Sequence, residues 1–342
     1  MDNGDRNKVH KRDPDLEEIL SLLNQTLDDD EKSLTKEFIR PVRPVLFIVG
    51  NARSGSTLLY QWLASTGLFG YPSNIISRFY QAPYIGALIQ KTFTDYDRHG
   101  ELFGSEALTC RSTLGKTAGA LSPHEFWYFW RRFFRFGEIQ YLTGEELRQV
   151  PSGRFLSELA ALEHSFGKPM LLKGMILNRN LSYLNRLIDQ VLFLHIRREE
   201  IQNMASLYHA RIDYFGTPGK WYSFKPPEYP VLKNMTLYEQ LAGQVVLTNR
   251  AIEQQFAEFP KRSTLTIHYE ELCRNPEKVY HDIQNSMELL GNPIREPYRG
   301  SASFELPGPK PDSTFHLKSA EEALRKMEEY EFENSTSNPA TR

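Results

Sequence analysis

Between Gly50 and Thr57 the chain reads Gly-Asn-Ala-Arg-Ser-Gly-Ser-Thr. Small residues let a backbone turn tightly, so that its N–H groups converge on one spot, and Arg53 adds a cation beside them. The chemistry this suits is the holding of a phosphate. The spacing of Gly50 and Gly55, with Ser56 and Thr57 following, is that of a nucleoside-triphosphate phosphate loop. Ser56 stands where such loops carry the lysine that reaches the β- and γ-phosphates. The loop is therefore made for one phosphate rather than for a triphosphate with Mg²⁺.

The elements that must position this loop are legible on either side of it. Val45 to Val49 is a continuous apolar run of β-branched and aromatic residues, which reads as a buried strand. From Ser56 onward Leu58, Leu59, Trp62 and Leu63 fall at helical spacing. Further strands are expected at Pro169–Leu172, ending in Lys173-Gly174, at Val191–Ile196, ending in Arg197-Arg198, and at Leu265–Tyr269, with helices between them. Strand–helix alternation implies a parallel sheet whose ligands bind at the carboxyl ends of its strands. Gly50, Lys173 and Arg198 each close such a strand, so three separate segments bring cations or N–H groups to one edge.

The expected fold is α/β: a P-loop-like three-layer α/β/α arrangement with a central parallel sheet of four to five strands and a largely helical, aromatic-rich insertion. Residues 1–40 read as an N-terminal helix and linker, 41–330 as one domain and 331–342 as a disordered tail. Asp13-Pro14 opens the first helix, with Leu16, Ile19, Leu20, Leu23 and Leu27 on one face, and Asp28 to Lys36 reads as a charged linker. Ser122-Pro123 is expected to open a helix through the aromatic run ending at Phe136, either as core or as the wall of an acceptor pocket. Phe215 to Lys233 reads as a long ordered loop of the kind that carries function.

Composition narrows the classes. Hydrophobic residues make up 40% of the 342 and charged residues 25%, ordinary values for a globular chain. A net charge of −2 gives no basic field for nucleic acid or an anionic membrane. The two cysteines, Cys110 and Cys273, make neither a disulfide framework nor a metal-ligand pattern, and no metal is expected. Residues 1–30 lack an apolar signal core and no apolar run reaches membrane-spanning length, so a cytoplasmic chain without a stable membrane anchor is expected.

Arg-Ser-Gly-Ser-Thr after a strand resembles the 5′-phosphosulfate loop of the sulfotransferases that use 3′-phosphoadenosine 5′-phosphosulfate (PAPS). The resemblance implies that Arg53, Ser54, Gly55, Ser56 and Thr57 hold the 5′-phosphate. An Arg closing a strand with a Ser eight positions on resembles the family's 3′-phosphate motif, which Arg198 and Ser206 match; Arg197 is the rival, one position out of register. Tyr269-Glu270-Glu271-Leu272 resembles the family's Tyr-Glu-Asp-Leu segment and implies that Tyr269 lies near the adenine. Lys173 resembles the family lysine that stabilises charge on the bridging oxygen as the S–O bond breaks, a task shared with Arg53.

Two departures are visible. Met175 stands where cytosolic members carry a catalytic His, and their Arg-Lys-Gly loop is absent near the C-terminus, where Lys310 or Arg299 could substitute. The resemblance covers residues 44–290 and points to the bacterial-type and tyrosylprotein-like branches rather than to the phenol and steroid enzymes. It implies transfer of a sulfuryl group from PAPS, without metal, to a hydroxyl of a small-molecule, lipid or glycan acceptor, releasing 3′,5′-adenosine bisphosphate (PAP). A kinase with an altered phosphate loop, or a non-catalytic nucleotide-binding protein of the same fold, are the alternatives.

A base for the acceptor proton is also required. Asn74 stands where related branches place a Glu. Glu125, then His124, are the candidates, with Asp95 and Glu101 as further acidic residues; stabilisation of a first helical turn is the other reading of Glu125. Phe126, Trp127, Trp130 and Tyr208 are the expected acceptor-binding aromatics.

Overall fold

The structure, a computed structural model, describes residues 6–97, 99, 112–306 and 314–330. The expected disordered tail, Cys110, Glu101 and Lys310 lie outside the described residues.

Four strands form the central sheet: β1 (Val45–Gly50), β2 (Met170–Lys173), β3 (Val191–Arg197) and β4 (Thr264–His268). They run parallel in the order β2-β1-β3-β4. Central placement explains the continuous apolar runs Val45–Val49 of β1 and Val191–Leu194 of β3, since a strand covered on both faces has no polar side. β2 and β4 are the edge strands; β2 is buried throughout, whereas the burial of β4 is uneven. Phe47 and Phe193 face a core filled by Phe129, Trp130, Phe134 and Phe155. Leu46, Ile48 and Leu194 face the opposite core, with Leu59, Trp62, Tyr280 and Ile283. The alternation of β1 residues between the two cores makes the fold a three-layer α/β/α sandwich.

The register aligns the carboxyl ends. Ile48 pairs with Lys173 and Gly50 with Ile196, so the loop after β1, the end of β2 and the start of the turn after β3 share one edge. Around this sheet lie α1 (Pro14–Thr35), α2 (Ser56–Ser65), α3 (Trp127–Phe133), α4 (Glu200–Phe215), α5 (Leu237–Glu258) and α6 (Leu317–Glu329). Further helices include Pro83–Thr94, Ser152–Phe166 and Pro276–Leu289. α4, α5 and α6 enclose a third cluster with Met204, Leu207, Trp221, Val245 and Met327.

Two expected boundaries are corrected. The charged stretch from Asp28 is not a linker, because α1 continues to Thr35. Its acidic residues have partners in the folded chain: Asp28 pairs with Arg154 and Lys32, and buried Glu31 accepts the Tyr84 and Ile85 N–H groups at 2.8 and 3.0 Å, capping the helix that Pro83 opens. The aromatic helix does not begin at Ser122-Pro123. Residues 122–124 are instead held extended beside 72–74, with His124 N donating to Pro72 O at 2.8 Å and Asn74 N to Ser122 O at 2.9 Å. Phe126 then takes a left-handed φ of 58° before α3 starts at Trp127. Glu125 therefore precedes the helix, and stabilisation of a first turn does not explain it.

Candidate active site

The loop after β1 is fixed from several sides. Gly50 ends the strand at a φ of 138°, where a Cβ would stand 2.5 Å from Ile196 O, so the close approach of β3 requires glycine. Asn178 bonds both backbone groups of Gly50, accepting from its N–H at 3.2 Å and donating to its carbonyl at 2.8 Å. Asn51 donates to Val245 O and Asn249 Oδ1, and Asn203 donates to Ala52 O at 2.9 Å. With its backbone so tied, the loop keeps Arg53 in the left-handed region, φ 66°, a conformation rare outside glycine.

Gly55 precedes α2 at a φ of 93° and no side chain caps the helix start. The ring of Tyr269 lies against it, 2.1 Å from where a Cβ would be. An uncapped helix start beside Arg53 presents N–H groups and positive charge to the same space.

Arg53 Nε donates to Ser206 Oγ at 3.3 Å, and Arg198 Nη1 donates to Arg53 O at 3.4 Å. The Arg198 guanidinium lies 4.9 Å from the Tyr269 ring centre, and its buried Nε has no hydrogen-bond partner. Arg198, Ser206, Arg53 and Tyr269 are thus one group. Burial lowers the pKa of Arg198 and pushes that of Tyr269 up to about 12. Arg197 is directed elsewhere, pairing with Glu200 at 2.6 Å and Glu253 at 2.5 Å.

On the other side of the loop Lys173, 6% exposed, donates from Nζ to Thr57 Oγ1 at 3.1 Å and to Glu125 Oε1 at 2.5 Å. Trp127 Nε1 donates to the second carboxylate oxygen, and Trp130 Nε1 to the Glu125 carbonyl at 3.0 Å. Glu125, Trp127, Trp130 and Lys173, with Met175 and Ile176, line a small hollow. The arrangement sets one ammonium between the Glu125 carboxylate and Thr57 at the start of α2.

The other candidates have different settings. His124 Nδ1 accepts the Phe126 N–H at 2.9 Å, and loss of solvent pushes its pKa down to about 4, so it is neutral at pH 7. Phe126, 1% exposed and stacked on Phe129, belongs to the core rather than to the hollow. Trp130 is equally buried, although it also lines the hollow. Tyr208 packs between Tyr238 and Phe315 in the third cluster and donates to Thr314 O at 3.0 Å. Asn74 bonds Thr117 O and Gly119 O, a structural role. Asp95 follows the helix Pro83–Thr94 and pairs loosely with Lys91 at 3.8 Å. Arg299 is exposed.

Sequence reasoning missed Asn178 and Asn203, which hold the loop, Gly115, which lies beside Glu125, and Tyr222, which bonds Leu114 O. Only the aromatic density of Phe215–Lys233 pointed to Tyr222. Among the described residues no cluster of three His, Cys, Asp or Glu side chains could hold a metal, and no helix is long and apolar enough to cross a membrane.

The chain is similar in structure to sulfotransferase STF1 from Mycobacterium tuberculosis H37Rv, with 14% identity, 89% of this chain and 83% of that chain covered, and a TM-score of 0.49. Sulfotransferase STF9 from Mycobacterium avium shares 14% identity over 77% of this chain and 67% of that chain, with a TM-score of 0.48. The sulfotransferase domain of the Synechococcus PCC 7002 olefin synthase shares 18% identity over 86% and 90%, with a TM-score of 0.40. No curated protein sequence matches the chain. The profile of the Sulfotransferase family matches residues 44–290, most of the chain and all four strands of the sheet. The chain belongs to the sulfotransferase family.

Proposed function

We propose that this chain transfers a sulfuryl group from PAPS to an acceptor hydroxyl and releases PAP. The observation that carries the reading is the line Thr57–Lys173–Glu125, which joins the phosphate loop to a carboxylate through one buried ammonium. The residues fit the donor. The uncapped start of α2 and Arg53 suit a 5′-phosphate, and the buried, unpartnered Nε of Arg198, whose Nη1 bonds Arg53 O, suits a second phosphate. Tyr269, whose ring lies against Gly55 and under the Arg198 guanidinium, is the residue assigned to the adenine.

PAPS, when bound, supplies a sulfuryl group already activated by its phosphate leaving group. The chain supplies the rest. Glu125 accepts the acceptor's proton, and the Lys173 ammonium paired with its carboxylate stands ready beside the leaving oxygen. Lys173 and Arg53 offset the negative charge that grows on the leaving oxygen, an effect that is strong because Lys173 is withdrawn from water. Trp127 orients Glu125 through its indole N–H. The acceptor is a hydroxyl-bearing small molecule, lipid or glycan. Incubation with labelled PAPS and a metabolite extract, followed by mass spectrometry, should yield a sulfated product and PAP. Turnover of ATP–Mg²⁺ with no use of PAPS would overturn the reading in favour of a kinase.

A further inference from the structure

The loop after β1 is closed on one of its own residues. The Asn51 carbonyl accepts twice from Ser54, from its N–H at 3.3 Å and from its hydroxyl at 2.7 Å. Arg53, at its left-handed φ of 66°, lies inside that turn. The Asn51 side chain leaves the turn in another direction. Asn51 is 1% exposed, and its Nδ2 gives one N–H to Val245 O at 3.0 Å and the other to Asn249 Oδ1 at 2.8 Å. Its own Oδ1 is buried and has no hydrogen-bond partner among the described residues. The amide is therefore oriented by the two bonds that it donates.

Both bonds end on α5. Asn249 is buried there, one helical turn beyond Val245 and on the same face. Gln255, further along the helix, donates to Asn178 O at 2.8 Å, and Asn178 bonds both backbone groups of Gly50. α5 thus reaches two successive residues of the loop, Gly50 through Asn178 and Asn51 directly. From the turn the contacts continue outward: Arg53 Nε donates to Ser206 Oγ, and the Arg53 carbonyl accepts from Arg198 Nη1. Of the two acceptors that α5 offers Asn51, Val245 O is backbone and survives any substitution. Asn249 Oδ1 does not.

We propose that Asn249 is a positioning residue for the donor nucleotide. By fixing the Asn51 amide it holds the Asn51–Ser54 turn, and with it Arg53 and the start of α2, in the arrangement that receives phosphate. The inference rests on the donor assignment proposed above. A left-handed arginine is unfavourable by itself and persists only where its surroundings over-determine it. Without the Asn249 oxygen, one buried Asn51 N–H has no partner, and the amide turns to recover one. Ser54 follows, because both of its bonds end on the Asn51 carbonyl. The binding-competent population of the loop then falls, and the apparent affinity for the nucleotide falls by the same factor. The loss is common to every nucleotide that uses the loop. PAP and 5′-AMP should therefore weaken together, whereas Arg198→Ala should weaken PAP and spare 5′-AMP.

Titration calorimetry with PAP and 5′-AMP, well below the Tm, tests this without an acceptor. Asn249→Leu keeps the volume and removes the oxygen, so the Kd for PAP should rise roughly tenfold, as expected from one unsatisfied buried donor. Asn249→Ala, which adds no bulk, should do the same and serves if the leucine variant does not fold. Asn249→Asp keeps an acceptor oxygen in either protonation state and should restore binding. On the unliganded chain, hydrogen exchange at the amides of residues 52–56 should be faster in Asn249→Leu than in the parent. A lower Tm with unchanged PAP affinity would make Asn249 merely structural and overturn the inference. So would failure of Asn249→Asp to restore binding, since packing rather than the oxygen would then have been lost. If the parent itself binds no PAP, the donor assignment falls, and unchanged exchange at 52–56 would overturn the hold of Asn249 on the loop separately.

Discussion

Lys173 Nζ stands between Glu125 Oε1, at 2.5 Å, and Thr57 Oγ1, at 3.1 Å. The two contacts tie the candidate base to the candidate phosphate site through one ammonium, and they make separable predictions. Glu125→Gln keeps size and shape, so the fold and PAP binding should survive. Turnover should fall by roughly the 10²–10⁴-fold typical of losing a general base. Lys173→Met should also lower turnover, but through the leaving oxygen, so the two losses should not multiply in the double variant, where one line of contacts is broken twice. Equal loss of PAP affinity and turnover in Glu125→Gln would make the carboxylate structural.

The arginines divide by position. Arg53 lies in the loop after β1, where the proposed transfer would build charge, whereas Arg198 lies against the Tyr269 ring and bonds Arg53 O. Arg53→Ala should therefore lower kcat more than it raises the KM for PAPS, and Arg198→Ala should act mainly on KM. Arg197→Ala should change neither, because its guanidinium is engaged by Glu200 and Glu253. PAP should raise the Tm of the parent chain without added metal, and 5′-AMP should raise it less. Equal shifts from the two nucleotides would show that Arg198 and Ser206 read no 3′-phosphate.

The centre of the sheet was legible because β1 and β3 carry short continuous apolar runs, as a central parallel strand must, whereas the edge strand β4 alternates. The loop was legible because its chemistry is local: Gly50, Arg53 and Gly55 each act through their own backbone or side chain. The length of α1 was not legible, since Asp28 and Glu31 look solvated until Arg154 and the Tyr84–Ile85 amides arrive from elsewhere in the chain. The start of α3 was hidden for the same reason, because residues 72–74 pull 122–124 out of the helix that Ser122-Pro123 would cap. That displacement is what turns Glu125 toward Lys173. The seating of Gly115 beside Glu125 depends on a hairpin held through Thr117 by Asn74 and Pro123, and no spacing in the sequence encodes it.

Gly55 should be intolerant of substitution. Its φ of 93° disfavours any L side chain, and a Cβ there would stand 2.1 Å from Tyr269 Cδ2. Gly55→Ala must either shift the Tyr269 ring, and Arg198 with it, or unwind the start of α2. Thermal denaturation should show a loss of about 1–3 kcal/mol, the range for a strained backbone position, and the Tm increment from PAP should disappear. Retention of the full PAP increment would mean that the loop backbone does not hold the nucleotide.

The last prediction concerns pH. Glu31 is fully buried on α1, and burial pushes its pKa up from 4.5 to about 7, outweighing the two N–H groups it accepts. Its protonated form is thus favoured in the folded chain relative to the unfolded one. Between pH 4.5 and about 7 the folded state holds a proton on Glu31 that the unfolded state has released, so this residue's contribution to stability falls as pH rises through that window. The contribution is on the order of 2–3 kcal/mol across the window. Glu31→Gln cannot titrate, and subtracting its Tm-against-pH curve from that of the parent should leave a difference that changes steadily from pH 5 to pH 7 and is flat above pH 8. The sign is fixed: the parent should lose stability relative to the variant as pH rises. Parallel curves would place Glu31 among ordinary ionised carboxylates and make the two backbone bonds, rather than burial, the stronger influence on it.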